Sequence, residues 1–111
     1  SLIYTLMIRQ PEFVTDDLAQ WVIESVRIRK PHPLLQHVRF GILEEGLCAQ
    51  MLHVGLYDDE PESFSRMEEY CSTHQVERLS KLHREIYLTD ARKTDPGKMK
   101  TVLRFTVKPL N

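Results

Sequence analysis

The chain has 111 residues, of which 41% are hydrophobic and 28% are charged, and this length fits a single globular domain over residues 1–111. Its 15 Lys and Arg residues are balanced by 16 Asp and Glu residues, so it lacks the basic surplus that nonspecific nucleic-acid binding requires. It contains no apolar run of roughly 20 residues and no signal peptide at its start, so we expect a cytoplasmic protein that binds neither membrane nor, directly, nucleic acid.

The N-terminal half predicts one helix among three strands. Residues 2–8 are β-branched, aromatic or long and apolar, which favours a buried strand. A helix is expected from about Thr15 to Lys30, because its apolar residues recur at helical spacing and its charges suit the helix dipole at both ends. Residues 37–43 and 47–54 predict two strands, joined as a hairpin by a turn at Gly46.

The C-terminal half predicts a second helix and two more strands. The helix follows the acidic run that ends at Glu60, has Pro61 in its first turn and ends near His74. Residues 83–89 and 101–107 have the alternation of strands. The order β-α-β-β-α-β-β predicts an α+β fold, an antiparallel sheet with two helices on one face, and a strand-helix-strand-strand unit in the C-terminal half.

The strand over residues 83–89 contains the strongest local constellation. Its alternation places Ile86 and Leu88 on one face and His83, Glu85 and Tyr87 on the other. We expect the apolar pair to face the helices, which leaves the polar three on the open face of the sheet. Spacing alone favours solvated side chains there. In a partly shielded groove, however, Glu85 could anchor a cation or act as a general base, with Tyr87 as a stacking surface.

Other residue types offer weaker candidates. The five histidines lack the spacing of a zinc site, so we expect no metal, and no phosphate-binding loop or dinucleotide fingerprint suggests a cofactor. Cys48 and Cys71 are expected to be reduced thiols. Trp21, the sole tryptophan, lies on the apolar side of the first helix, where core packing is a more common role than ligand contact.

Two segments of the sequence resemble a known family. The run from His53 to Tyr57, His-Val-Gly-Leu-Tyr at the end of a strand, and the run Glu85-Ile86-Tyr87 resemble GyrI-like small-molecule-binding domains. The stretch from Asp90 to Phe105 resembles a stand-alone bacterial branch of that family. Together these segments cover about half of the chain.

The resemblance implies a groove between two pseudo-symmetric units that binds bulky, hydrophobic, often planar and cationic drug-like compounds. It implies Glu85 as the pocket glutamate that meets the positive charge of the ligand. The resemblance also matches Tyr57 and Tyr87 to aromatic positions of the family. The full set of ligand-binding residues that we expect is Glu85, Tyr87, Tyr57, His83, His53 and Trp21.

The same resemblance implies an alternative, because some stand-alone members are hydrolases that open electrophilic cyclopropane rings of DNA-alkylating natural products and so confer toxin resistance. In that case the catalytic residues would be Glu85, which orients or deprotonates water, and Tyr87, which positions the substrate with Tyr57. A third alternative is a domain that uses a sheet edge or face to bind a protein partner.

The chain departs from the family in one respect. Family members carry a further N-terminal strand-helix-strand before the segment that starts here at Leu2. We therefore expect a fragment, a natural half-length protein or a homodimer that rebuilds the groove. The sequence also has no helix-turn-helix of the kind that DNA-binding regulators use.

Overall fold

The computed structural model of this chain describes residues 3–110, which form two compact units, residues 3–43 and residues 44–110. Each unit is described by itself, and the single domain expected over residues 1–111 stays a prediction. The helices and strands, in chain order, are α1 (Asp16–Arg29), β1 (Cys48–Val54), α2 (Glu60–Thr73), β2 (Val76–Arg78), β3 (Arg84–Tyr87) and β4 (Lys100–Pro109).

The N-terminal unit contains α1. The bounds of this helix agree with the prediction from the sequence. The Thr15 hydroxyl accepts a hydrogen bond from the backbone N–H of Leu18 at 3.2 Å, which satisfies one of the free donors of the first turn. Acidic side chains occupy the first turn and basic side chains the last. A short 3-10 helix, Pro33–His37, follows.

The two strands predicted in this unit are wrong for the residues that the structure describes. Residues 3–8 and 37–43 form no strand, and Leu2 lies outside the described residues. Ile3, for example, is 97% exposed. The β-branched and apolar composition favours an extended backbone, but a strand also needs a neighbour with which its N–H and C=O groups can pair.

The C-terminal unit contains an antiparallel four-stranded sheet in which β4 is central. On one side, β4 pairs with β1 in a register that joins Met51 to Leu103. On its other side, β4 pairs with β3 near its start, where Glu85 lies opposite Leu103, and with β2 near its end. The predicted hairpin is therefore wrong, because the partner of β1 is the distant β4. The α+β class is confirmed, with two helices and an antiparallel sheet.

The core of this unit lies between α2 and one face of the sheet. Alternate residues of β4, Leu103, Phe105 and Val107, are buried against Met67 and Cys71 of α2. Both cysteines of the chain are free thiols, as expected. The helix α2 packs over β1 and β2. Next to the edge strand β3, His83 contacts Phe64 in the N-terminal half of α2.

The register of β3 reverses the facing predicted for its side chains. Directly opposed residues of an antiparallel pair project on the same side of a sheet. Glu85 opposes the buried Leu103 and Tyr87 opposes the buried Thr101, so Glu85 and Tyr87 lie on the face that α2 covers. Ile86 opposes Val102 and therefore lies on the open face.

The physical reason for the reversal is that β3 is an edge strand. Its helix-side residues border α2 without being covered by it, so polar side chains can be placed there. On the open face, Ile86 continues an apolar row with Val102 and Leu52.

Candidate functional site

The end of β1 and the turn after it bring two tyrosines together. Gly55 has φ 124°, a conformation that side-chain-bearing residues rarely adopt, and its N–H donates to the Met99 carbonyl at 2.9 Å. The chain then enters a 3-10 turn, Tyr57–Asp59, that leads into α2. Here the ring of Tyr57 meets the ring of Tyr87 edge-to-face, with 5.6 Å between centroids. The turn thus builds an aromatic corner beside β3.

Glu85 lies on the same face of β3, between polar and aromatic neighbours. Its side chain is 27% exposed, and its Oε2 atom is 3.6 Å from Nε2 of His83. The imidazole of His83 packs edge-to-face against Phe64 of α2, with 4.7 Å between ring centroids. Glu85 is therefore a half-buried carboxylate with a histidine on one side.

Glu60, which the sequence analysis did not single out, is the second carboxyl group of this site. The residue is 7% exposed, and its Oε2 atom is buried without a hydrogen-bond donor from residues 3–110. The pKa of Glu60 is raised from 4.5 to about 8. The largest cause is burial, and the smaller causes are a hydrogen bond to Glu85 and the charge of Glu85. Burial and the neighbouring Glu85 therefore favour the protonated, neutral form of Glu60.

This arrangement can perform two kinds of chemistry. A partly buried carboxylate beside aromatic rings attracts a cation, because water screens the charge less there than at an open surface. A neutral carboxylic acid beside a carboxylate is also an acid–base pair that can operate near neutral pH. The geometry is compatible with either binding or turnover.

His53 is buried and bonded through both nitrogens of its ring, and its contact with a ligand stays a prediction. His53 is 4% exposed; its Nε2 lies 2.7 Å from the Leu56 carbonyl and its Nδ1 lies 2.7 Å from the Ser63 hydroxyl. Since a carbonyl can only accept, Nε2 donates, and in the neutral ring Nδ1 accepts from Ser63. Both ring nitrogens are therefore used to fasten β1 to α2 and to the turn.

A cleft of about 370 Å³ lies beside His53, between β1 and the N-terminal half of α2. Of the ligand-binding residues expected from the sequence, only His53 lines it. Its other lining residues are Met51, Leu52, Val54, Asp59, Glu62, Ser63 and Arg66.

Trp21 lies on α1 in the N-terminal unit and is 64% exposed, so the core packing expected for it is wrong. A contact between Trp21 and a ligand stays a prediction.

In the C-terminal unit, the structure brings Glu85, His83, Tyr57 and Tyr87 together with Glu60.

The open face of the sheet carries an ion cluster that the sequence analysis also missed. Oε1 of Glu45 accepts hydrogen bonds from Arg84 at 2.6 Å and from Arg104 at 2.9 Å. Arg104 also donates to Oε1 of Gln50 at 3.0 Å. The cluster ties the turn before β1 to β3 and β4. Because one carboxylate oxygen bridges both guanidinium groups, we assign the cluster a structural role.

Two further classes of site were sought over residues 3–110. No group of three or more His, Cys, Asp and Glu side chains in that range could hold a metal ion. Within the same residues, neither helix has both the length and the apolar character needed to cross a membrane.

Comparison with known proteins identifies the family. The sequence matches the GyrI-like small molecule binding domain over residues 2–108. None of the curated proteins matches it.

Solved structures from Listeria innocua are similar to this chain. One is an uncharacterized conserved protein, 39% identical with a TM-score of 0.81; 90% of this chain is covered, and 50% of that one. Another is a hydrolase, 37% identical with a TM-score of 0.79, covering 90% of this chain and 52% of that one. A third, a hydrolase encoded by lin2189, is 37% identical with a TM-score of 0.77, covering 90% and 50%.

The chain thus spans about half the length of these structural neighbours. The family match itself extends over nearly the whole sequence and includes both segments that carried the resemblance. This chain belongs to the family of GyrI-like small-molecule-binding domains.

Proposed function

We propose that this chain binds hydrophobic, planar, cationic drug-like molecules, with Glu85 as the charged anchor and Tyr57 and Tyr87 as aromatic walls. The observation that carries the proposal is the position of Glu85 on the α2 side of an edge strand. At 27% exposure, its carboxylate remains reachable by a ligand while part of its surface is shielded from water.

The surroundings of Glu85 favour a cationic ligand. Among residues 3–110, no Lys or Arg forms an ion pair with Glu85, whose one ion-pairing neighbour is His83. The Tyr57–Tyr87 corner offers π faces and edges that interact favourably with planar cations. A ligand placed there would gain both a counter-charge and apolar contact.

The proposal is tested by titrating ethidium, a planar cationic dye, into wild-type protein and Glu85→Gln. We expect the substitution to weaken binding about tenfold, which corresponds to about 1.4 kcal/mol, because it removes the counter-charge and keeps the shape. Glu77→Gln is the matched control. Glu77 lies on β2, is half-exposed and forms an ion pair with Lys108 of β4. Equal affinities of wild type and Glu85→Gln would reject the anchor role.

A second candidate function, hydrolysis of strained electrophiles, is favoured by a specific observation. Two of the similar structures are of hydrolases, and Glu60 and Glu85 pair a neutral acid with a carboxylate. In this alternative, Glu85 deprotonates or orients water and Tyr87 positions the substrate, so that a cyclopropane ring of a DNA-alkylating natural product opens. The consequence would be toxin resistance.

Turnover separates the two candidates. The protein is incubated with a large excess of a cyclopropane-bearing alkylator, and the remaining alkylator is measured over time. A hydrolase consumes many equivalents and loses this activity in Glu85→Gln, whereas a binding protein removes no more than one equivalent per site.

The proposal also includes a cytoplasmic location, binding of several unlike drugs and a homodimer.

The homodimer is supported by the apolar side chains of residues 3–8, since Ile3, Leu6 and Ile8 are largely exposed. Light scattering coupled to size-exclusion chromatography would give twice the chain mass for a dimer and would contradict it with a single-chain mass at all concentrations.

A further inference from the structure

Two carboxyl groups on different elements share one small region, and neither is neutralised by a basic residue. Glu60 starts α2, one turn before Phe64. The ring of Phe64 packs on His83, whose Nε2 atom is 3.6 Å from the carboxylate of Glu85 on β3. No Lys or Arg within residues 3–110 forms an ion pair with either group, although the same unit pairs Glu45 with Arg84 and Arg104. Two adjacent carboxylates without a cation repel each other unless one of them holds a proton.

The burial of Glu60 shows where that proton resides. Glu60 is more than nine-tenths buried, and its Oε2 atom has no hydrogen-bond donor from the described part of the chain. A buried carboxylate oxygen without a donor is costly, whereas a protonated one can donate. Glu85 is the more exposed of the two groups, so burial penalises a negative charge less there than on Glu60.

Building on the proposed function, we infer that Glu60 and Glu85 act as one binding element with a single proton and a single negative charge, which makes the site selective for singly charged organic cations. Glu60 is then the specificity-determining residue. A singly charged ligand neutralises the element. A doubly charged ligand leaves one unmatched positive charge in a partly desolvated site, which is unfavourable.

The neighbours of the pair from the side of the sheet are two histidines and a tyrosine. His83, the residue before β3, lies beside Glu85, and Tyr87 of β3 packs on Tyr57 of the turn. From β1, His53 has both ring nitrogens bonded to Ser63 and Leu56.

Two acidic residues precede Glu60 in the sequence, Asp58 and Asp59. Their charge favours cations in general and does not distinguish protonated from ionised Glu60. Selectivity between singly and doubly charged ligands is therefore assigned to the Glu60–Glu85 element.

Ethidium and propidium test the inference, because they share one planar ring system and differ by one positive charge. Each dye is titrated by fluorescence at pH 7 and pH 9 into wild type, Glu60→Gln and the exposed control Glu62→Gln. In wild type we expect propidium affinity to rise about tenfold between these pH values and ethidium affinity about threefold, as Glu60 loses its proton.

Glu60→Gln separates the inferred element from general charge effects. Gln keeps a hydrogen-bond donor and cannot ionise. We therefore expect Glu60→Gln to bind both dyes at pH 7 within about twofold of wild type. Between pH 7 and pH 9, its affinities should rise at least threefold less than those of wild type. Glu62→Gln should follow wild type. The inference is overturned when Glu60→Gln shows the same rise as wild type, or when wild type shows none.

A measurement without ligand distinguishes failure of this inference from failure of the proposed function. Carbon-13 NMR of labelled Glu carboxyls should show one group that titrates near pH 8 in wild type. That signal should be absent in Glu60→Gln and should titrate at lower pH in Glu85→Gln. If no carboxyl titrates above pH 6, the inference is wrong whatever the dyes do. If one does and neither dye binds, the shared proton stands, and the proposed function and the charge selectivity fail.

Discussion

At the scale of single residues, Glu60 is subject to two opposing effects. The start of a helix favours an ionised carboxylate by roughly 0.3–1 kcal/mol. Burial and the nearby Glu85 act in the other direction and raise the pKa of Glu60 from 4.5 to about 8. Burial and the neighbouring charge outweigh the helix dipole, so this acidic first-turn residue is neutral at pH 7.

The sequence alone could not identify Glu60 as part of the site. It ends the run Asp58-Asp59-Glu60, and such runs are typical of a solvated helix N-terminus. Its distinguishing property is its position next to Glu85, which depends on how α2 packs over the sheet. Glu85 itself could be singled out, because alternation and the family resemblance both pointed to it.

A residue-scale prediction concerns the aromatic corner. We expect Tyr57→Ala to weaken ethidium binding about three- to tenfold, because an aromatic contact contributes roughly 0.5–1.5 kcal/mol, and Tyr57→Phe to stay within about twofold of wild type. Fluorescence titration measures both affinities. Tyr70→Ala is the matched control, since Tyr70 is exposed and stacks on His74 at the other end of α2. A loss in Tyr57→Phe as large as in Tyr57→Ala would instead assign the effect to the hydroxyl.

At the scale of elements, the helices were predictable and the strand pairing was not. Helix limits depend on local signals, such as the Thr15 cap and Pro61 in the first turn of α2, and both helices form where these signals place them. Strand pairing depends on residues far apart in sequence. The turn at Gly46 suggested a local hairpin, yet β1 pairs with β4, and the short β2 escaped prediction.

The same distinction explains the facing of β3. A period of two correctly grouped Glu85 with Tyr87 and Ile86 with the opposite face. It could not say which group lies on the helix side, because that depends on the neighbour of the strand and on how far α2 extends. The grouping of Glu85 with Tyr87 was therefore predicted correctly, and the face of the sheet on which they lie was predicted wrongly.

An element-scale prediction concerns the fastening of β1 to α2. We expect His53→Ala to lower the free energy of unfolding by about 2–3 kcal/mol, because the buried Ser63 hydroxyl and the Leu56 carbonyl lose their partner and a cavity forms. Urea denaturation measures this loss. His74→Ala, at an exposed position, should cost less than about 0.5 kcal/mol. Equal losses in both variants would show that the His53 hydrogen bonds do not hold the two elements together.

At the scale of the whole molecule, charged groups with shifted pKa values determine how folding stability varies with pH. Glu24 and Asp90 have lowered pKa values through hydrogen bonds to Arg27 and Arg92. Glu24 is exposed and Asp90 is partly exposed, so their ion pairs are expected to contribute little to stability. Glu60 is buried, and the pH at which its effect appears follows from the sign of its shift.

The pKa of Glu60 is higher in the folded than in the unfolded chain, so the folded chain binds this proton more tightly. The contribution of Glu60 to the free energy of unfolding therefore becomes less favourable as pH rises from about 4.5 to about 8. Glu60→Gln keeps the shape and the donor and cannot ionise. We therefore expect the variant to match wild type within about 0.5 kcal/mol at pH 4.5 and to exceed it by on the order of 2–4 kcal/mol at pH 8.5. Urea denaturation across this range, compared between the two proteins, cancels the titration of the histidines. A difference that stays constant with pH would mean that Glu60 is ionised in the folded chain at neutral pH, and that its burial does not set its charge.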